Sequence, residues 1–150
     1  MQKFVQTVAL RWSDIDINHH VRHSVYYDWG ADARLEYFRL IGMTVEKMQT
    51  LQIGVILLRE ECVFRREIRL GDKVTITLEL LNARRDYSRW SIRHKIMKDA
   101  ETLGSILTVD GAWIDMRLRK LTALPDDIVQ RFLTMPRTAD FILEPVKIKE

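Results

Sequence analysis

Residues 24–42 read SVYYDWGADARLEYFRLIG, and within them Tyr26, Trp29, Ala33, Tyr37 and Leu40 recur every three or four positions. That spacing predicts a helix of about five turns burying one stripe, with Arg34, Glu36 and Arg39 on its other faces. Ser24, or His23 before it, stands where a helix cap is expected, and Gly42 stands where a left-handed residue ends a helix. It is the one long segment with a strong apolar stripe at helical spacing.

Outward from this helix the period changes to two. Before it, Phe4, Val8, Leu10 and Trp12 alternate with polar or small neighbours and predict a half-buried first strand. After it, a polar connector runs over 45–52, and IGVILLREECVFRREIR (53–69) predicts a long strand, apolar at its start and rich in arginine at its end. LGDK makes a turn. In KVTITLELL (73–81), Val74, Ile76, Leu78 and Leu80 alternate with Lys73, Thr75, Thr77 and Glu79, the pattern of a strand with one buried face. RWSIRHKIM (89–97) repeats it, with His94 in the apolar phase, and SILTVDGAWIDMRLRK (105–120) is a fifth strand in which Gly111 marks a bulge or a close backbone approach. Pro125, followed by Asp126 and Asp127, opens a short helix that Pro136 stops.

The order of elements implies an α+β fold: a five-stranded antiparallel sheet wrapped around one long central helix, with a short C-terminal helix, in a single domain over 1–150. The outer face and the sheet edges still need cover, so an oligomer is expected.

Composition narrows the function. With 47% hydrophobic and 30% charged residues in 150, the chain reads as one globular domain. No apolar run reaches the roughly 18 residues of a membrane span, and the first residues lack a signal-peptide pattern, so a cytoplasmic location is expected. The lone Cys62 fits a reducing compartment. A net charge of +3 favours anionic partners but is too small to argue for nucleic acid, and the aromatics follow core periodicity.

The chemistry concentrates in SDIDINHHVRH (13–23), which holds three of the four histidines. Asp16, Asn18 and His20 alternate, so an extended or turning backbone presents them on one side, directly before a helix N-terminus whose free amides can hold a developing oxyanion. A carboxylate, an amide and an imidazole there suit acyl transfer: Asp16 activates water or attacks directly, and Asn18 and His20 orient the water or the carbonyl. Two plainer readings compete. Asp and Asn also cap turns, and Asp16, His19, His20 and His23 could be drawn as a metal site. Glu60, Glu61 and Cys62 form a second cluster; the cysteine reads best as a small apolar residue. Arginines at 65, 66, 69, 84, 85, 89 and 93 could grip phosphates at a rim or simply be solvated.

These residues resemble a known family, the hotdog-fold thioesterases, in their 4-hydroxybenzoyl-CoA and acyl-ACP thioesterase-like branches. The family's first strand exits through D-x-D-x-x-G-H-V-N-N-x-x-Y into a helix with a Trp and an Ala-Arg pair. Asp14, Asp16, His20, Val21, Tyr26, Trp29, Ala33 and Arg34 stand in that register, and REIRLGDKV and Leu124-Pro125 match further on. The resemblance implies an acyl thioesterase that hydrolyses acyl-CoA or acyl-ACP without metal or redox cofactor. It implies Asp16 as nucleophile or base, with Asn18, His20 and Glu61 completing the catalytic set. Arg22, His23, Tyr26, Trp29, Arg66, Arg85 and Arg89 become substrate-binding candidates, with Trp90 beside the acyl tunnel. Family members form homodimers, often doubled to homotetramers, with each site between two subunits. A non-catalytic acyl-CoA-binding module and a metal-dependent hydrolase are the rival readings. The chain departs from the pattern at His19, where the family has glycine, at Arg22 and His23, where it has two asparagines, and at Glu67, which replaces a common proline.

Overall fold

In the computed structural model, which describes residues 3–145, the chain runs β1 (Val5–Val8), α1 (Val25–Leu40), α2 (Val45–Leu51), β2 (Ile53–Phe64), β3 (Val74–Thr77), β4 (Glu79–Arg84), β5 (Arg89–Lys98), β6 (Thr102–Asp115), β7 (Lys120–Leu121), α3 (Asp126–Phe132) and β8 (Arg137–Glu144). The strands form one curled sheet in which β2 pairs β6, β6 pairs β5, and β5 pairs both β3 and β4. β3 and β4 are halves of one predicted strand interrupted at Leu78; β1 continues the sheet beside β3, and β8 beside β4. This is the α+β hotdog arrangement expected from the sequence. Its small additions are β7 and β8, and β8 runs parallel to β4 where an all-antiparallel sheet was expected.

Alternation along the strands decides what lies inside. Val74, Ile76, Leu78, Leu80, Trp90, Ile92, Ile96, Leu107 and Val109 are all buried on the face toward α1. α1 presents Val25, Tyr26, Trp29, Ala33, Tyr37 and Phe38 to them, joined by Ile41 just past its end, and Phe38 packs against Trp90, Trp113 and Phe132. Leu40, assigned to the stripe from spacing, is 56% exposed, and Ile41 takes its place. Arg34, assigned to another face, is buried beside His94. Gly42 ends the helix at φ 89, the left-handed conformation expected of it.

Three local readings change. Trp12 does not extend the first strand; it opens a 3-10 turn and is exposed. The connector after α1 is itself the helix α2, capped by the Thr44 hydroxyl on the Lys47 amide. Trp90 is core, not tunnel: its ring lies so close over Gly111 that a Cβ there would be 2.3 Å away. Gly111 is therefore a close approach, as its place in a strand suggested.

Candidate functional site

The stretch that carries the chemistry folds as a tight loop against the end of β2. Asp14 is buried; its Oδ2 accepts the Arg11 amide at 3.0 Å and its carbonyl accepts the Arg22 amide, so it closes the loop rather than facing a ligand. Arg22 donates from its guanidinium to the Ser13 carbonyl and to Ser24 Oγ. It braces the loop and does not border the cavity described below.

Asp16 organises the turn. Its Oδ1 accepts the amides of Asn18 (2.8 Å) and His20 (3.2 Å), and its own amide donates to the His20 carbonyl at 2.8 Å. Its Oδ2 has no hydrogen-bond partner among the described residues. The turn-capping and catalytic readings of Asp16 therefore divide between its two oxygens. His19 sits at φ 63, the left-handed conformation that the resembling family fills with glycine. The loop keeps that geometry with a histidine in the glycine's place.

Asp16, His20, Val21, His23, Tyr26 and Phe64 line a cavity of about 300 Å³ whose rim carries Arg65, Arg66 and Glu67. The N-terminal turn of α1 adjoins it through Tyr26. Ser24 makes no side-chain cap there; the Val25 amide donates to the Arg22 carbonyl at 3.1 Å, and the first-turn amides beyond it have no side-chain acceptor. Burial pushes the Tyr26 phenol up to about 12; Cys62 and Asp16 add to the rise, and a backbone group of Ile68 opposes it. Tyr26 stays neutral and stacks edge-on with Phe64, ring centroids 5.0 Å apart. Burial also raises the Cys62 thiol, beside the Ser105 hydroxyl, so Cys62 behaves as the small apolar residue it was read to be.

Several expected members lie elsewhere. Asn18 is exposed and does not border the cavity. Glu61 pairs with Thr108, whereas Glu60 and Cys62 pair with the buried Val109 and Leu107. Side chains alternate along a strand, so Glu61 points to the face away from α1, where it meets Arg59. Trp29 borders a different hollow, with Gln6, Asp28 and Asp32 between β1 and α1. Arg85 lies in the β4–β5 turn and Arg89 opens β5, whereas Lys98 closes that strand beside the Asp16 loop. A strand of that length separates its ends by about 30 Å, too far for Arg85 and Arg89 to reach this cavity within one chain.

One participant was not foreseen. Glu67 Oε2 stands 2.8 Å from His20 Nε2, and its Oε1 accepts Arg69 Nη2 at 2.6 Å. The only hint in the sequence was an acid where the family commonly has proline. Among the described residues no three His, Cys, Asp or Glu side chains gather as metal ligands.

A family model described as thioesterase-like superfamily matches residues 10–132. Among solved structures, the chain is similar to the hypothetical protein SAV2348 of Staphylococcus aureus, determined in complex with CoA, at 24% identity and a TM-score of 0.83, covering 88% of this chain and 82% of that one. It is similar to a DHNA-CoA thioesterase of Staphylococcus aureus at 18% identity and a TM-score of 0.79, over 89% and 90% of the two chains. Slr0204, a 1,4-dihydroxy-2-naphthoyl-CoA thioesterase of Synechocystis, aligns at 13% identity and a TM-score of 0.78, over 89% and 97%. At such identities the likeness speaks for the fold. No curated protein matches the chain.

Proposed function

Because the chain belongs to the thioesterase-like superfamily, we propose that it is an acyl thioesterase that hydrolyses acyl-CoA or acyl-ACP to a carboxylic acid and a thiol. The observation that carries this reading is the unengaged Asp16 Oδ2 in a cavity beside the uncapped start of α1. The thioester carbonyl accepts from the first-turn amides beyond Val25, which hold the oxyanion as it forms. Asp16 Oδ2 removes a proton from an attacking water or attacks the carbonyl carbon itself. With water as the nucleophile, Asp16 returns the proton it took to the sulfur as the C–S bond breaks, leaving acid and thiol. With Asp16 as the nucleophile, the C–S bond breaks to a thiolate that takes a proton from solvent, and water then hydrolyses the acyl-Asp16 anhydride to the acid and the free carboxylate. Arg65 and Arg66 offer positive charge at the rim to the CoA phosphates or to an acidic carrier protein.

The reading includes a homodimer, doubled in turn to a homotetramer. Among the described residues β2 pairs only with β6, and its twelve residues expose Val55, Leu57, Leu58, Val63 and Phe64. An edge this long and apolar invites a second copy. A dimer would also give Arg85, Arg89 and Glu61 a way to serve the partner's site. The location proposed is cytoplasmic; no helix of the described residues is long and apolar enough to cross a membrane.

Thiol release measured across acyl-CoA esters of graded chain length tests the function. The wild type is expected to turn over at least one class of ester and Asp16→Ala none. Wild-type binding of acyl-CoA without thiol release would instead make the protein a non-catalytic binding module.

A further inference from the structure

We propose that Glu67 is a positioning residue that acts through His20, an inference that rests on the thioesterase reading of the same cavity. The pair is held from several sides. His20 and Arg69 form an antiparallel bridge, and the Val21 amide donates to the Ile68 carbonyl at 2.8 Å, so the two segments are locked in register. Glu67 Oε2 lies 2.8 Å from His20 Nε2, Arg69 takes Oε1, and Lys98 Nζ donates to the Glu67 backbone carbonyl at 2.9 Å. Hydrogen bonding to Arg69 comes first among the influences that hold the Glu67 carboxyl below its usual range, with His20 and Lys98 contributing, so it is an anion wherever the enzyme works.

Stability does not explain this arrangement. The His20 side chain is 31% exposed and that of Glu67 45%, and ion pairs so open to water contribute little to stability. Orientation does explain it. A carboxylate on one ring nitrogen fixes where the proton sits and so sets the task of the other nitrogen. In the neutral tautomer that donates Nε2–H to Glu67, it is Nδ1 that carries the lone pair. Nδ1 has no partner among the described residues, and His20 shares the cavity wall with Asp16. It is placed to accept the second hydrogen of the water that Asp16 activates. The other charged or titratable groups facing the cavity are Arg65, Arg66 and His23; Arg69, Lys98 and Asp72 stand behind Glu67.

A double-mutant cycle with Glu67→Gln and His20→Ala reads the coupling. Glu67→Gln is expected to lower kcat about tenfold with KM unchanged, and to change kcat less than about twofold once His20 is alanine. An equal loss in both backgrounds, or no loss in either, overturns the proposal. Imidazole ¹⁵N resonances provide a readout that needs no turnover. Glu67→Gln should displace the ring signals of His20 and leave those of His19, His23 and His94 in place. Unmoved His20 signals overturn the proposal even in an active enzyme. If the wild type released no thiol, the thioesterase reading would fall, while the ring signals would still decide whether Glu67 holds His20.

Discussion

His20 and His94 each stand within hydrogen-bonding distance of a charged side chain, and they are opposites. His94 is fully buried on β5; its Nδ1–H donates to the Thr77 carbonyl at 2.8 Å, and its Nε2 accepts from Arg34 Nη1 at 3.1 Å. Burial, and then the neighbouring guanidinium, lowers it to about 3. It is neutral at any working pH, with both nitrogens occupied. His20 faces an anion instead, at a cavity edge, with one nitrogen spare. Residue type alone does not separate a structural histidine from a chemical one; what remains unspent after folding does.

The largest expected effect breaks the buried member. His94→Leu strands the Arg34 guanidinium in the core without its acceptor and should cost about 3–5 kcal/mol in urea unfolding. Acid should weaken the same site more gently. Folded His94 titrates near 3 and an unfolded imidazole near 6.5, so its contribution is complete above about pH 6.5 and is lost as the pH falls toward 3. Wild type should lose roughly 2 kcal/mol between pH 7 and pH 5 from this group, and His94→Gln, which keeps an acceptor for Arg34, should show a flatter pH profile.

Gly30 sharpens the comparison from the helix side. A Cβ there would stand 2.3 Å from Leu107 Cδ2 and 3.0 Å from Arg34 Nη1, so Gly30→Ala should displace the Leu107 side chain, crowd the guanidinium and cost about 1–2 kcal/mol in the same assay. The smallest effect belongs to the exposed loop. His19→Gly removes a left-handed non-glycine residue and should change stability by less than about 1 kcal/mol, seen as a small rise in Tm with the cavity intact.

Much of this was open to reading from the residues, because strand alternation is a local signal. Val74 to Leu80 and Trp90 to Ile96 are buried as their period requires, and Gly42 and Pro125 mark helix ends where expected. What stayed hidden depends on distant partners. Arg34 looks like a surface residue until β5 brings His94 beneath it. α2 has no fully buried residue, hence no stripe, and β8 gains its strand character only by pairing with β4. In the site, the Asp16 turn is local and could be foreseen. The His20–Glu67 pair required the register that sets His20 against Arg69, and the faces of Glu60 and Glu61 follow from the pairing of β2 with β6.

Asp16→Asn is the most direct test of the account. An asparagine Oδ1 can still accept the Asn18 and His20 amides, so the turn survives and only the charge at the second position is lost. On an acyl-CoA that the wild type hydrolyses, kcat should fall by about a hundredfold or more while the acyl-CoA Kd stays within a few-fold. Turnover by Asp16→Asn at the wild-type rate would contradict the account, because the carboxylate would then serve the loop alone.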